Sequence, residues 1–106
     1  MGFVSLETIK EKELVPGFLG RFVHTDNVTL AYWNIKKGAI LPQHQHKHEQ
    51  VTSVLEGEFE LTIDSTTQVL NPGMLAVIPG NVNHSGIALT ECRILDVFYP
   101  VREEYR

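Results

Sequence analysis

Hydrophobic and polar positions alternate along most of the chain in short runs, and residues that favour turns separate these runs. Pro16-Gly17, Glu56-Gly57 and similar pairs fix the breaks. Strands at this spacing are typical of an all-β sandwich or barrel. The polar segments 6–14 and 101–106 have room for only a turn or two of helix. The predicted strands span 18–24, 28–36, 50–55, 58–64, 67–70, 74–78, 84–89 and 92–99.

Length and charge narrow the class of protein. A chain of 106 residues predicts a single domain over 1–106. The net charge of -4, without a lysine or arginine cluster, argues against nucleic acid or an anionic membrane as partner. No apolar run approaches the roughly 20 residues of a membrane span. The single cysteine, Cys92, and a start without signal-peptide features predict a cytoplasmic protein.

Three of the five histidines lie within residues 44–48. In a regular strand His44 and His46 share one face, because side chains alternate with a period of two. Gln50 has the same parity and Glu49 the opposite one, so Gln50 is the preferred further donor from this segment. Two imidazoles at this spacing can share one metal ion. A solvated histidine pair that binds nothing is the alternative, and the role of the neighbouring His48 stays open.

His84 is a distant third imidazole, at the start of another predicted strand just after the Pro79 turn. Gln50 offers a neutral carbonyl oxygen, so three histidines and one glutamine would leave the full charge on a divalent ion. Such a site favours small anionic, oxygen-rich ligands. Zn, Ni, Fe, Mn and Cu all suit imidazole with oxygen. The alternative for Gln50 is a hydrogen bond behind a water that serves as the fourth ligand.

The last predicted strand carries an acidic residue inside an apolar run. Asp96 and Phe98 share parity, so both face the barrel interior if Leu95 and Val97 face outward. A buried carboxylate is costly unless it is paired, which makes a nearby metal cation its natural partner. The alternatives are an edge position with Asp96 in solvent, or an ion pair with Arg102.

The histidine segment resembles the first motif of the cupin superfamily. Gly38-x5-His44-x-His46-x3-Gln50-x6-Gly57 has every spacing of that motif and departs from it at Gln50, where glutamate is usual. The resemblance implies an all-β fold, the cupin double-stranded β-helix or jelly-roll barrel, with little helix. It also implies that the histidines and Gln50 are metal ligands.

A second segment resembles the second cupin motif. Gly73-x5-Pro79-x4-His84 has its glycine, proline and histidine in place, and the resemblance makes His84 the remaining ligand. Asn81 stands where glycine is usual, and Ala88 where asparagine is usual. Asparagine tolerates a positive φ, so the turn geometry is expected to survive.

The C-terminal residues sharpen the resemblance. Asp96-x-Phe98, followed four residues later by Arg102, is similar to a small cupin family of pectin and alginate breakdown that converts 4,5-unsaturated uronates to linear keto acids. This implies an isomerase in which Asp96 moves a proton, Arg102 pairs with the substrate carboxylate and Phe98 packs on the sugar. An Fe(II)-dependent dioxygenase and a non-enzymatic sugar-binding cupin are the alternatives. The family also implies a homodimer, with residues 3–6 as a candidate exchanged strand.

Overall fold

The computed structural model describes residues 2–106, and strands dominate it. Single 3₁₀ turns at Leu6–Thr8 and Glu103–Tyr105 are the helical elements of this part of the chain. None of its helices is long and apolar enough to span a membrane. The strands are β1 (Lys12–Val15), β2 (Phe18–His24), β3 (Thr29–Ile35), β4 (Ile40–His44), β5 (Glu49–Glu56), β6 (Phe59–Ile63), β7 (Thr66–Leu70), β8 (Leu75–Ile78), β9 (His84–Ala88) and β10 (Cys92–Tyr99).

Two antiparallel sheets enclose the core. The larger has the order β1-β2-β3-β10-β5-β8, and the smaller has the order β4-β9-β6-β7. Every second residue of β3 and β10 is buried, as the alternating sequence predicts. Phe18 of the larger sheet meets Phe59 of the smaller one edge to face, with ring centroids 6.4 Å apart. The predicted all-β jelly-roll architecture is confirmed.

Two edge strands are missing from the sequence-based prediction. No residue of β1 is buried, and the helix expected within 6–14 is wrong beyond the turn at Leu6–Thr8. Strand β4 contains Pro42, which cannot donate to a ladder and therefore suits an edge. Strand β1 forms by pairing with β2, and β4 by pairing with β9. The local sequence gives little indication of either strand.

The histidine segment does not form one strand, so the parity argument over residues 43–50 is wrong. β4 ends at His44 in the smaller sheet, and β5 begins at Glu49 in the larger. Residues 45–48 bend between the sheets. The turn before β9 holds this bend, because the Asn81 N–H donates to the His46 carbonyl at 2.7 Å. Asn81 has a φ of 62°, as expected for asparagine in place of glycine.

The C-terminal tail is anchored to β2 and β3. The Arg102 N–H donates to Thr29 Oγ1 at 2.8 Å, and His24 Nε2 donates to the Tyr105 carbonyl at 3.3 Å. These contacts place the Arg102 and Tyr105 side chains beside the inward-facing residues of β10.

Candidate metal centre

Three histidines from separate elements converge. His44 ends β4, His84 begins β9, and the two are register partners in the smaller sheet. His46 reaches them from the bend after β4. One potential ligand atom from each ring lies within 4.8 Å of the others. The structure thus brings together the three imidazoles that the sequence singled out.

Each of the three rings is held by a backbone carbonyl two residues away. These bonds place the proton on Nδ1 and leave Nε2 as an acceptor, the state in which histidine binds a metal. The Nδ1 bonds run from His44 to Pro42 O at 2.9 Å, from His46 to His48 O at 3.0 Å and from His84 to Val82 O at 2.9 Å.

Burial favours the neutral form of His46 and His84. It lowers the pKa of His46 to about 4, and the positive charge of Arg102 acts in the same direction. Burial also lowers the pKa of His84. His84 Nε2 is buried without a hydrogen-bond partner among the described residues. A buried acceptor is rarely left unpaired in a folded protein, so this nitrogen fits the role of a metal ligand.

Gln50 supplies an oxygen to the same cluster. Its side chain is 5% exposed, and Oε1 lies 3.1 Å from His46 Nε2. With the His46 proton on Nδ1, both of these atoms are acceptors, and a cation beside them would satisfy both. Gln50 Nε2 donates in the opposite direction, to Thr52 Oγ1 at 2.9 Å. Three nitrogens and one amide oxygen therefore fit a divalent transition metal.

Asp96 lies inside the barrel, on the face that its parity predicts. The residue is 8% exposed on β10, a central strand, so the solvent-exposed edge position is wrong. Its carboxylate accepts from Trp33 Nε1 at 2.9 Å and from Thr52 Oγ1 at 2.6 Å. Burial raises the pKa of Asp96, although hydrogen bonds from Thr52, Gln50 and Trp33 oppose the shift. The alternative ion pair with Arg102 is also wrong, since neutral groups hold Asp96 and the guanidinium pairs elsewhere.

Arg102 and Phe98 form the side of the site next to the tail. The guanidinium carbon lies 4.8 Å from the Phe98 ring centroid and 4.3 Å from that of Tyr105. Its Nε is 3.4 Å from Glu104 Oε2. The Phe98 ring meets the His46 ring at 5.7 Å between centroids. Stacking thus holds a positive charge close to the imidazole cluster.

A cavity of about 70 Å³ adjoins these groups, enough for several waters at roughly 10–15 Å³ each. Sequence reasoning missed two of the residues around it. Thr52 shares the inward parity of Gln50 on β5, which is a signal that the sequence contains. Tyr105 lies in a short polar tail that offers no such signal. The cavity is lined in part by His44, Gln50, His84, Asp96, Arg102 and Tyr105.

His48, whose role the sequence leaves open, lies next to the cluster and outside it. Its side chain is buried, and its Nε2 is 4.0 Å from Glu104 Oε1. Its backbone carbonyl accepts the His46 Nδ1 bond. In the structure His48 therefore supports the orientation of His46.

Comparison with known proteins agrees with this architecture. Residues 31–98 match the family described as Cupin domain. The pectin degradation protein KdgF of Dickeya dadantii (strain 3937) is 30% identical over 83 residues, which cover 76% of each chain. The structure of KdgF from a Halomonas species has a TM-score of 0.93 at 26% identity, covering 100% of this chain and 99% of that one. An RmlC-like cupin from Shewanella frigidimarina NCIMB 400 has a TM-score of 0.94 at 27% identity, covering 100% and 96%.

Proposed function

This chain belongs to the cupin family, and from that premise we propose that it is a metal-dependent isomerase of a small anionic sugar acid. The ketonisation of an unsaturated uronate is the reaction we favour. One observation carries the proposal. The unpartnered His84 Nε2 and the facing acceptors of His46 and Gln50 share a cavity with a buried carboxylate, Asp96, and a guanidinium, Arg102.

The ligand set consists of neutral donors. His44, His46 and His84 would hold the ion through Nε2, and Gln50 through Oε1. A divalent ion bound there, such as Zn, Ni, Fe or Mn, supplies Lewis acidity to a carboxylate or carbonyl oxygen of the substrate. Because no ligand carries a negative charge, the full positive charge is available to an anionic substrate.

Arg102 and Phe98 would bind the substrate, and Asp96 would transfer the proton. Arg102, held by stacking on Phe98 and Tyr105, pairs with the substrate carboxylate through its planar fork. Phe98 offers an apolar surface to the sugar. Opening of the hemiacetal ring breaks its C1–O5 bond and moves the C1 hydroxyl proton to O5, which leaves an aldehyde and an enol. Asp96 then accepts the proton of the enol oxygen and returns a proton to C4, so the double bond moves from C4=C5 to C5=O. The reaction is an isomerisation and needs no co-reactant.

The relatives support the substrate class. The Dickeya dadantii relative is a pectin degradation protein, and 4,5-unsaturated uronates are the acids that this family resemblance implies. Asp96, Phe98 and Arg102 line the same cavity as His44, Gln50 and His84, which supports one small molecule contacting all three.

The test is turnover in protein purified without an affinity tag. The metal content is measured first, and a 4,5-unsaturated uronate is then added while the ultraviolet absorbance of its double bond is followed. We expect Asp96→Asn to keep the metal and to lose at least about 100-fold in turnover, the contribution typical of a general acid–base.

Asp26→Asn, in an exposed loop, is the matched control and should behave like wild type. Retained turnover in Asp96→Asn would remove Asp96 from the mechanism. Oxygen consumption that depends on substrate and iron, in place of uronate turnover, would favour the dioxygenase. Sugar-acid binding without either reaction would favour a non-enzymatic cupin.

We also propose that the protein is a cytoplasmic homodimer. The outer face of the larger sheet supports the dimer, because several of its large apolar side chains are about half exposed: Leu55, Leu75, Val77 and Tyr99. Residues 3–6, the candidate exchanged strand, lie outside the strands of this chain, with Phe3 and Val4 exposed. Pairing through the sheet face would cover apolar surface that a single copy leaves in water.

A further inference from the structure

We infer that Thr52 is a positioning residue that fixes which end of the Gln50 amide faces the three imidazoles. This inference rests on the metal centre proposed above. The two ends of a glutamine amide have nearly the same shape but opposite hydrogen-bonding roles. Only the oxygen end can bind a metal, so something must select it.

The selection follows from the direction of a buried hydrogen-bond chain. Thr52 has one hydroxyl proton, and it is donated to Asp96 Oδ1 at 2.6 Å. The Thr52 oxygen can then only accept, and the group that it faces at 2.9 Å is Gln50 Nε2. With the NH₂ end held there, Gln50 Oε1 takes the other end, 3.1 Å from His46 Nε2.

Burial makes the chain the deciding influence. Gln50, Thr52 and Asp96 are 5%, 4% and 8% exposed, so bulk solvent has little access to their polar atoms. Gln50 and Thr52 are neighbouring inward residues of β5, and Thr52 lies opposite Asp96 of the adjacent strand β10. The second donor to Asp96, Trp33 Nε1, binds the other carboxylate oxygen and leaves Oδ1 to Thr52.

Without the Thr52 hydroxyl, the Asp96 carboxylate is the one acceptor left near the Gln50 NH₂, and the preference for the oxygen end weakens. His46 Nε2 is an acceptor, because its Nδ1 donates to the His48 carbonyl. A Gln50 amide free to turn would donate its NH₂ to His46 Nε2. His46 Nε2 would then be occupied by a hydrogen bond and unable to bind the metal. Gln50 would be lost as a ligand too, because its NH₂ end would face the ion.

The importance of Thr52 depends on glutamine at position 50. A glutamate there would have two equivalent oxygens and would need no selection. With glutamate at position 50, the Thr52 oxygen would face a carboxylate oxygen. No hydrogen bond can form between them, because the Thr52 proton is already donated to Asp96. The effect of removing the hydroxyl should therefore largely vanish in Gln50→Glu, which a double-mutant cycle can measure.

The experiment measures Co²⁺ affinity of the metal-free protein by competition with a chelating dye, together with the visible spectrum of the bound Co²⁺. We expect Thr52→Val to weaken Co²⁺ binding by about 10- to 100-fold, the range for lost outer-shell partners of metal ligands. Its visible spectrum should also change as the oxygen ligand is lost. Thr52→Ser should restore both, and Thr52→Ala replaces Thr52→Val if the latter fails to fold.

Two further variants separate positioning from other roles. Trp33→Phe removes the other donor to Asp96 and should leave Co²⁺ affinity near wild type. In the Gln50→Glu background, Thr52→Val should change the affinity little. An equal loss from Thr52→Val in both backgrounds, or from Trp33→Phe, would overturn the inference and leave the metal centre standing. Wild-type protein that binds no Co²⁺ would overturn the metal centre and this inference together.

Discussion

At the scale of single residues, the position of a few protons defines the site. Each imidazole gives its Nδ1 proton to the backbone, which leaves three Nε2 acceptors facing one another. Such a cluster is stable without metal only while its rings stay neutral, because protonated rings would repel one another and lose water in a buried position.

This predicts a pH dependence of the metal-free protein. The pKa of His46 is about 4 in the folded state, against 6.5 for a free side chain. Between these values the unfolded state binds more protons than the folded state, so the free energy of unfolding falls as the pH is lowered from about 6.5 to about 4. Urea unfolding at a series of pH values measures it.

The comparison is His46→Gln, which cannot titrate at this position. On acidification, the free energy of unfolding should fall more for wild type than for His46→Gln. Groups that titrate in both proteins, including Asp96, largely cancel in this difference. The same pH slope for both proteins would show that His46 is not the group responsible.

At the scale of elements, the site depends on two turns that meet between the sheets. The bend at residues 45–48 carries His46, and the turn before β9 leads into His84. A methyl group added at Gly80 would overlap the Lys47 carbonyl oxygen, so the second turn packs directly on the first. The Asn81 bond to His46 makes the same connection.

Gly80→Ala is therefore expected to move the bend that carries His46. We expect Co²⁺ affinity to fall by about tenfold or more, as when outer-shell contacts of a metal site are disturbed. Gly38→Ala is the control. Gly38 has a φ of +82° with open space around it, so alanine there strains the backbone by roughly 1–2 kcal/mol and touches no ligand. Equal loss of affinity in both variants would refute this account of the turns.

At the scale of the whole molecule, the two faces of the larger sheet differ in role. Its inner face carries Gln50, Thr52, Asp96 and Phe98 toward the site. Its outer face is apolar where β5, β8 and β10 meet, and Leu75 and Val77 on edge strand β8 are more than half exposed. An apolar sheet face with an apolar edge strand is typical of an interaction surface.

The homodimer proposal predicts that Val77→Lys dissociates the protein. Light scattering coupled to size-exclusion chromatography should give a dimer mass for wild type and a monomer mass for the variant, because a lysine would be buried unpaired in the interface. Ile40→Lys, at a comparably exposed apolar position on the smaller sheet, should leave the dimer intact. A monomeric wild type, or a Val77→Lys dimer, contradicts the proposal.

The sequence by itself determined the parts of the protein that local patterns encode. Alternation with a period of two, broken by turn formers, predicted eight strands and the inward direction of Asp96 and Phe98. Resemblance to the two cupin motifs selected His44, His46, Gln50 and His84, and the structure brings these four together. Both signals are local, because each depends on residue types at short, fixed separations.

Only the tertiary structure decided the rest. Strands β1 and β4 exist because a neighbouring strand pairs with them, and the bend at 45–48 exists because its ends belong to different sheets. The same applies to the hydrogen-bond chain through Thr52 and to the stacking of Arg102 on Tyr105. These features depend on partners brought close by folding, and the directions of buried hydrogen bonds follow from which donors and acceptors the packed strands place opposite one another.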